Sequence, residues 1–234
     1  MRNPLIVALD VPTAQQALNL AAAVVPFVGA VKVGKELFVS TGPDIVRQLR
    51  KLGLRVFLDL KFHDIPNTVA KAVAAAVRLD VQMLTLHCSG GSAMMNAAET
   101  SAQQTAVELG REGPLVLGVT VLTSMDSSAL AELGGDSDPA RQVERLARLA
   151  VSAGLRGLVC SPLELPTLRR ILPRQIQLVT PGIRIGTEKP DDQKRTMSPR
   201  EAMEAGADWL VVGRPIYAAA DPTAAAQRIL ESLA

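Results

Sequence analysis

The sequence predicts an α/β fold, a single (β/α)8 (TIM) barrel spanning residues 1–234. Three observations predict it. Short apolar runs alternate with Ala- and Leu-rich amphipathic segments along the whole chain, the pattern of a parallel sheet covered by helices. Eight such units in 234 residues fit the compact end of a closed barrel. The turn after the first strand reads Asp10-Val11-Pro12-Thr13, whereas a doubly wound open sheet, the main alternative, usually carries a G-x-G-x-x-G turn there.

The elements follow in order. The first strand, near 5–9, is wholly apolar and ends at Asp10; Thr13 opens a helix near 13–24. The second strand, near 29–33, carries Lys32 at its end, and Pro43 starts a helix near 42–52. The third, near 55–60, runs through Asp59 to Lys61, and Pro66 opens a helix near 66–78. The fourth, near 82–87, ends at His87 and precedes a long helix near 91–109. The fifth, near 115–120, ends at Thr120; a polar connection from Thr123 to Asp138 leads to a helix near 139–153. The sixth, near 156–160, ends in Cys160-Ser161 before a helix near 162–172. The seventh, near 176–180, ends at Thr180; a second polar connection, Pro181 to Met197, leads to a helix near 198–205. The eighth, near 208–212, closes with Gly213-Arg214 before a helix near 221–232. Pro139, Pro162, Pro199 and Pro222 each mark a helix start, where a missing N–H costs nothing. The two polar connections are longer than an ordinary loop, as lids and binding loops tend to be.

Composition narrows the function classes. Hydrophobic residues make up 48% of the chain, enough for a large core. The 25 basic and 23 acidic residues are interspersed and leave a net charge of +2, so nothing points to nucleic acid. The pI near 8.7 suits a small anionic ligand at most. Cys88 and Cys160 follow apolar strands with no metal-ligand spacing, which fits a reducing cytoplasm and buried thiols. The apolar segment before Asp10 is too short for a signal peptide, and the longest apolar stretch, Leu20 to Val31, contains Pro26 and Gly29 and is too short to span a bilayer. A cytoplasmic protein without membrane association is expected.

Barrel chemistry occurs where strands end at their C-termini. Here those ends carry charge: Asp10, Lys32, Asp59 and Lys61. Alternate strand residues share a face, so Asp59 and Lys61 should point the same way, with α-carbons roughly 6–7 Å apart. Desolvated charges are costly unless paired, so an apolar strand closing on a carboxylate and an ammonium calls for a purpose. Asp64 follows in the loop before Pro66; it reads as a helix cap or as a further member of the charged set. Asp10 alone reads equally as a cap for the turn at Thr13, and Lys32 as a strand-end residue that reaches solvent. His63 and His87 lack a third ligand and read as structural or supporting groups rather than a metal site. At the last strand, Gly213 would admit a backbone N–H to an anion and Arg214 would add a planar fork of donors; Arg184, on the neighbouring loop, reaches the same place. Together they read as a phosphate site.

These segments resemble the orotidine 5'-phosphate decarboxylase family over essentially the whole chain. The most specific part is Phe57-Leu58-Asp59-Leu60-Lys61-Phe62-His63-Asp64-Ile65-Pro66-Asn67-Thr68. Leu5-Ile6-Val7-Ala8-Leu9-Asp10, Val31-Lys32-Val33-Gly34, Thr180-Pro181-Gly182-Ile183-Arg184 and Val212-Gly213-Arg214 are similar to family segments, in family order. The resemblance implies a cofactor-free, metal-free decarboxylation of orotidine 5'-phosphate to UMP by a homodimer with shared active sites. It implies that Asp59 and Lys61 flank the scissile carboxylate, with Lys32 and the partner subunit's Asp64 completing an alternating charged array. Lys61 would be the proton donor. Asp10, Lys32 and the partner subunit's Thr68 would meet the ribose, and Thr123 the pyrimidine edge. Gln193 would reach from the lid, and Arg184, Gly213 and Arg214 would hold the phosphate. Two rivals remain. Magnesium-dependent sugar-phosphate decarboxylases and synthases share the D-x-K-x-x-D element but need a carboxylate where Lys32 stands, and an ammonium there would repel the metal. A non-catalytic phosphate-ligand barrel would keep Gly213-Arg214 without needing the charged set.

Overall fold

The structure, a computed structural model, describes residues 3–134, 136–184 and 196–233. Eight parallel strands close into a barrel in sequence order: β1 (Leu5–Ala8), β2 (Ala30–Val33), β3 (Val56–Phe62), β4 (Met83–His87), β5 (Leu115–Val119), β6 (Gly157–Val159), β7 (Gln177–Thr180) and β8 (Trp209–Val212). β8 pairs back onto β1, with Leu5 opposite Leu210. Among the described strands no sheet edge is therefore left unpaired.

Strand parity sorts the core into two layers. Ile6, Ala8, Ala30, Phe57, Met83, Leu117, Val179, Trp209 and Val211 fill the barrel interior. Leu5, Val7, Val31, Val33, Val56, Leu58, Leu84 and Leu86 face outward against the helices. Burial of this aliphatic surface drives the fold at about 25 cal/mol per Å2. At the floor, Trp209 is 1% exposed and its indole N–H donates to Gln177 Oε1 at 2.8 Å. A side chain at Gly29 would collide there: its Cβ would lie 2.0 Å from the Asn3 carbonyl oxygen and 3.1 Å from the Trp209 ring.

The helices cover the outside: α1 (Ala14–Val24), α2 (Lys35–Thr41), α3 (Asp44–Lys51), α4 (Pro66–Arg78), α5 (Gly91–Glu108), α6 (Ser127–Glu132), α7 (Pro139–Ser152), α8 (Leu165–Ile171), α9 (Pro199–Glu204), α10 (Arg214–Tyr217) and α11 (Pro222–Glu231). Thr13 caps α1 by accepting from the Gln16 N–H, and Ser198 and Glu201 form a reciprocal capping box at α9. Prolines stand in the first turn of α4, α7, α9 and α11 as expected. The expected helix near 162–172 begins as a 3-10 turn over Pro162–Glu164. Pro43 caps α3 from outside rather than starting it, because the preceding chain already forms α2. The short helices α2, α6 and α10 were not expected. Each has seven residues or fewer, too little sequence to show a 3.6-residue period. No helix of the described residues is long and apolar enough to cross a membrane.

Candidate active site

The interior parity that builds the floor also builds the site, one step further along each strand. Beyond Ala8 comes Asp10; beyond Ala30, Lys32; beyond Phe57, Asp59 and then Lys61; beyond Val211, Gly213. These residues line a cavity of about 550 Å3 at the C-terminal rim, together with Val119, Thr123, Val159, Arg184, Arg214 and Tyr217 among others. Leu60 and Phe62, of the other parity, pack against the outer core. The alternation expected of Asp59 and Lys61 thus holds, although the backbone at Lys61 is left-handed (φ 54°) and the register with β4 shifts between Leu58 and Phe62. A lysine in that region is uncommon and needs neighbours to hold it.

The charges form one connected row. Lys32 Nζ donates to Asp10 Oδ1 at 3.0 Å and lies 3.7 Å from Asp59 Oδ2. Lys61 Nζ lies 2.8 Å from Asp59 Oδ1 and 2.9 Å from Oδ2. Lys32 and Asp59 have side chains only 11% and 13% exposed, so each depends on its partners to offset lost hydration. Burial raises the pKa of Asp59, but the ammonium groups of Lys32 and Lys61 and hydrogen bonds from Lys61 and Thr85 outweigh it and hold the carboxyl below the usual range. Gly34 leaves room for this row: a Cβ there would approach Asp10 Oδ1 to 3.0 Å and Lys32 Nζ to 3.1 Å. Asp10 therefore pairs with Lys32 instead of capping the turn, since Thr13 does that itself.

The segments after β7 and β8 bring cationic donors to the same cavity. Arg184 is fixed by its N–H to the Met197 carbonyl, in a bridge between Ile183 and Met197 at the root of the second polar connection. Arg184, Gly213 and Arg214 all line the cavity. Thr123 lines it from the loop after β5. Tyr217, three residues past Arg214 on α10, also lines it and was not expected from the sequence; its distance from any strand end hid it.

Asp64 and Thr68 stand apart. Both are exposed and neither lines this cavity. The cap of α4 is Ile65, with no side-chain hydrogen bond, and among the described residues Asp64 accepts only from the adjacent Ile65 N–H. Asp64 thus does not act as the helix cap that one reading expected. Gln193 lies outside the described residues.

The supporting groups are ordinary. Burial pushes the Cys88 and Cys160 thiols up to about 12, so neither offers a thiolate at neutral pH. His87 is half-buried and its ring centroid is 5.6 Å from that of His63. Burial first, then the charges of His63, Lys61 and Lys35, lower the His87 pKa. Among the described residues no three His, Cys, Asp or Glu side chains cluster to hold a metal ion. What the cavity offers is a row of alternating charges together with the cationic donors Arg184 and Arg214, a lining suited to an anionic ligand.

Known proteins share this architecture. The family model described as "Orotidine 5'-phosphate decarboxylase / HUMPS family" matches residues 3–229. The chain is 53% identical to the orotidine 5'-phosphate decarboxylase of Pseudomonas savastanoi pv. phaseolicola, over 100% of this chain and 98% of the relative. It is also 53% identical to that of Opitutus terrae, over 100% and 99%. The crystal structure of orotidine 5'-phosphate decarboxylase from Lactobacillus acidophilus superposes with a TM-score of 0.88 at 37% identity, covering 99% of both chains.

Proposed function

The chain belongs to the orotidine 5'-phosphate decarboxylase / HUMPS family, and from that premise we propose that it converts orotidine 5'-phosphate to UMP and CO2 in pyrimidine biosynthesis. The observation that carries this reading is the buried row Asp10–Lys32–Asp59–Lys61 at the barrel mouth. Loss of CO2 from the pyrimidine ring leaves an electron pair on a carbon with no adjacent sink. An ammonium held beside that carbon stabilises the pair and then protonates it. Lys61 fits this role, because Asp59 holds its Nζ with both carboxylate oxygens. In the step, the ring-to-carboxylate bond breaks, CO2 leaves, and an N–H proton of Lys61 forms the new C–H bond. Solvent then returns a proton to Lys61. No cofactor enters this scheme.

The donor set favours this reading over a magnesium-dependent one. Lys32 stands between Asp10 and Asp59 and pairs with both, where a divalent ion would need carboxylates to itself. Arg184, Gly213 and Arg214 suit the 5'-phosphate, Thr123 the base, and Asp10 with Lys32 the ribose hydroxyls. Binding energy from the remote phosphate would contribute to the chemical step. Asp64 and Thr68 are exposed and do not line their own cavity, which suits service to the site of a second copy in a two-fold homodimer. A cytoplasmic location goes with this reading.

The test is the absorbance of orotidine 5'-phosphate followed with the protein in excess EDTA. Turnover is expected. Turnover of a sugar phosphate only when Mg2+ is restored, or nucleotide binding with no turnover, would overturn the proposal.

A further inference from the structure

We propose that Thr85 is a positioning residue that sets the geometry of both Asp59 and Lys61; the inference rests on the decarboxylase reading above. Thr85 lies in β4 between Met83 of the interior floor and His87 at the rim. It is wholly buried, between the apolar Leu84 and Leu86. A buried hydroxyl costs stability unless it is bonded, and this one is bonded twice. Its Oγ1 donates to Asp59 Oδ1 at 2.9 Å and accepts from the Lys61 backbone N–H at 2.9 Å.

Those two bonds act on the two features that define the row. The bond to Asp59 fixes one carboxylate oxygen, and with it the plane in which the carboxylate meets Lys61 and Lys32. The bond from Lys61 occupies the N–H that the register shift between Leu58 and Phe62 takes out of the ladder. The bond falls at the residue with φ 54°, where a lysine needs such a hold. One hydroxyl therefore ties a carboxylate to the backbone of the lysine it faces, from a neighbouring strand. Thr85 does not line the cavity, so it acts through its neighbours and not on the substrate.

The experiment compares Thr85→Val, which keeps the shape and loses the hydroxyl, with Thr85→Ser, which keeps the hydroxyl. Wild-type protein is assayed first: absence of turnover on orotidine 5'-phosphate sinks the proposed function and not this inference. In Thr85→Val, kcat is expected to fall about ten- to hundredfold while the Kd for UMP changes less than about threefold, as for an interaction that matters chiefly in the transition state. The acid limb of the kcat profile should move to higher pH, because Asp59 loses a hydrogen bond that favours its ionised form. Thr85→Ser should restore most of kcat. Should Thr85→Val fail to fold, Thr85→Cys, with a weak donor and poor acceptor of similar size, carries the same expectation. Near-wild-type kcat in the folded Val or Cys variant, parallel loss of kcat and UMP binding, or failure of Ser to rescue would each overturn the assignment.

Discussion

Asp59 holds the Lys61 ammonium with both carboxylate oxygens, at 2.8 and 2.9 Å. The contact spans only two positions in sequence, and it forms because the two side chains share the inner face of β3. Lys61 is thus oriented by its own strand neighbour, so in the proposed reaction little reorganisation would be needed as charge develops.

Lys61→Ala should therefore abolish decarboxylation while leaving UMP binding largely intact. The ammonium acts on charge that appears during the reaction, so its loss belongs to kcat. Single-turnover absorbance and UMP titration check this. Near-normal turnover would remove Lys61 as the proton donor.

Arg214→Ala should weaken binding of the 5'-nucleotide by about 1.5–3 kcal/mol, the size of a charge-assisted hydrogen bond. The corresponding nucleoside should be nearly indifferent. Calorimetry with UMP and uridine separates the two; equal losses would mean that Arg214 supports the fold instead.

Asp64→Asn and Lys61→Ala homodimers should both be nearly inactive, yet a mixture allowed to exchange subunits should regain activity. Random pairing gives about half heterodimers, each with one intact site, so about a quarter of wild-type activity per total site returns. If exchange is verified by mass and activity stays absent, Asp64 does not serve a neighbouring subunit.

His87 should make the fold less stable in mild acid. Its pKa in the folded chain is lowered, chiefly by burial, so below its ordinary value of 6.5 the unfolded chain binds the proton more readily. Stability from the neutral imidazole is present above pH 6.5 and is lost as pH falls towards the depressed folded pKa. Urea melts at several pH values should show this slope in the wild type and a flatter one in His87→Gln. Equal slopes would refute it.

Much of this was legible in the chain because parity in a strand survives local distortion. Ala8 and Asp10, Ala30 and Lys32, Phe57 and Asp59 all share faces, so the charged rim followed from the apolar pattern beneath it. The same rule, applied to Met83 and His87, would have brought up Thr85, but a threonine in a strand reads first as a β-branched filler. The left-handed turn at Lys61 leaves no trace in a pattern of alternating residues. Asp64 was singled out from its place in the charged run, but it is exposed and outside this cavity, so its role stays with the shared-site proposal.

The floor of the barrel has its own consequence. Phe57, Met83, Leu117, Val179 and Trp209 are each at most 2% exposed directly beneath the row of charges. The barrel is consequently a cup with a sealed base, and its traffic runs through one mouth. On the proposed reading, nucleotide in, nucleotide and gas out, and the proton returned to Lys61 would all share that opening. A cover over the mouth would then time every one of these events at once.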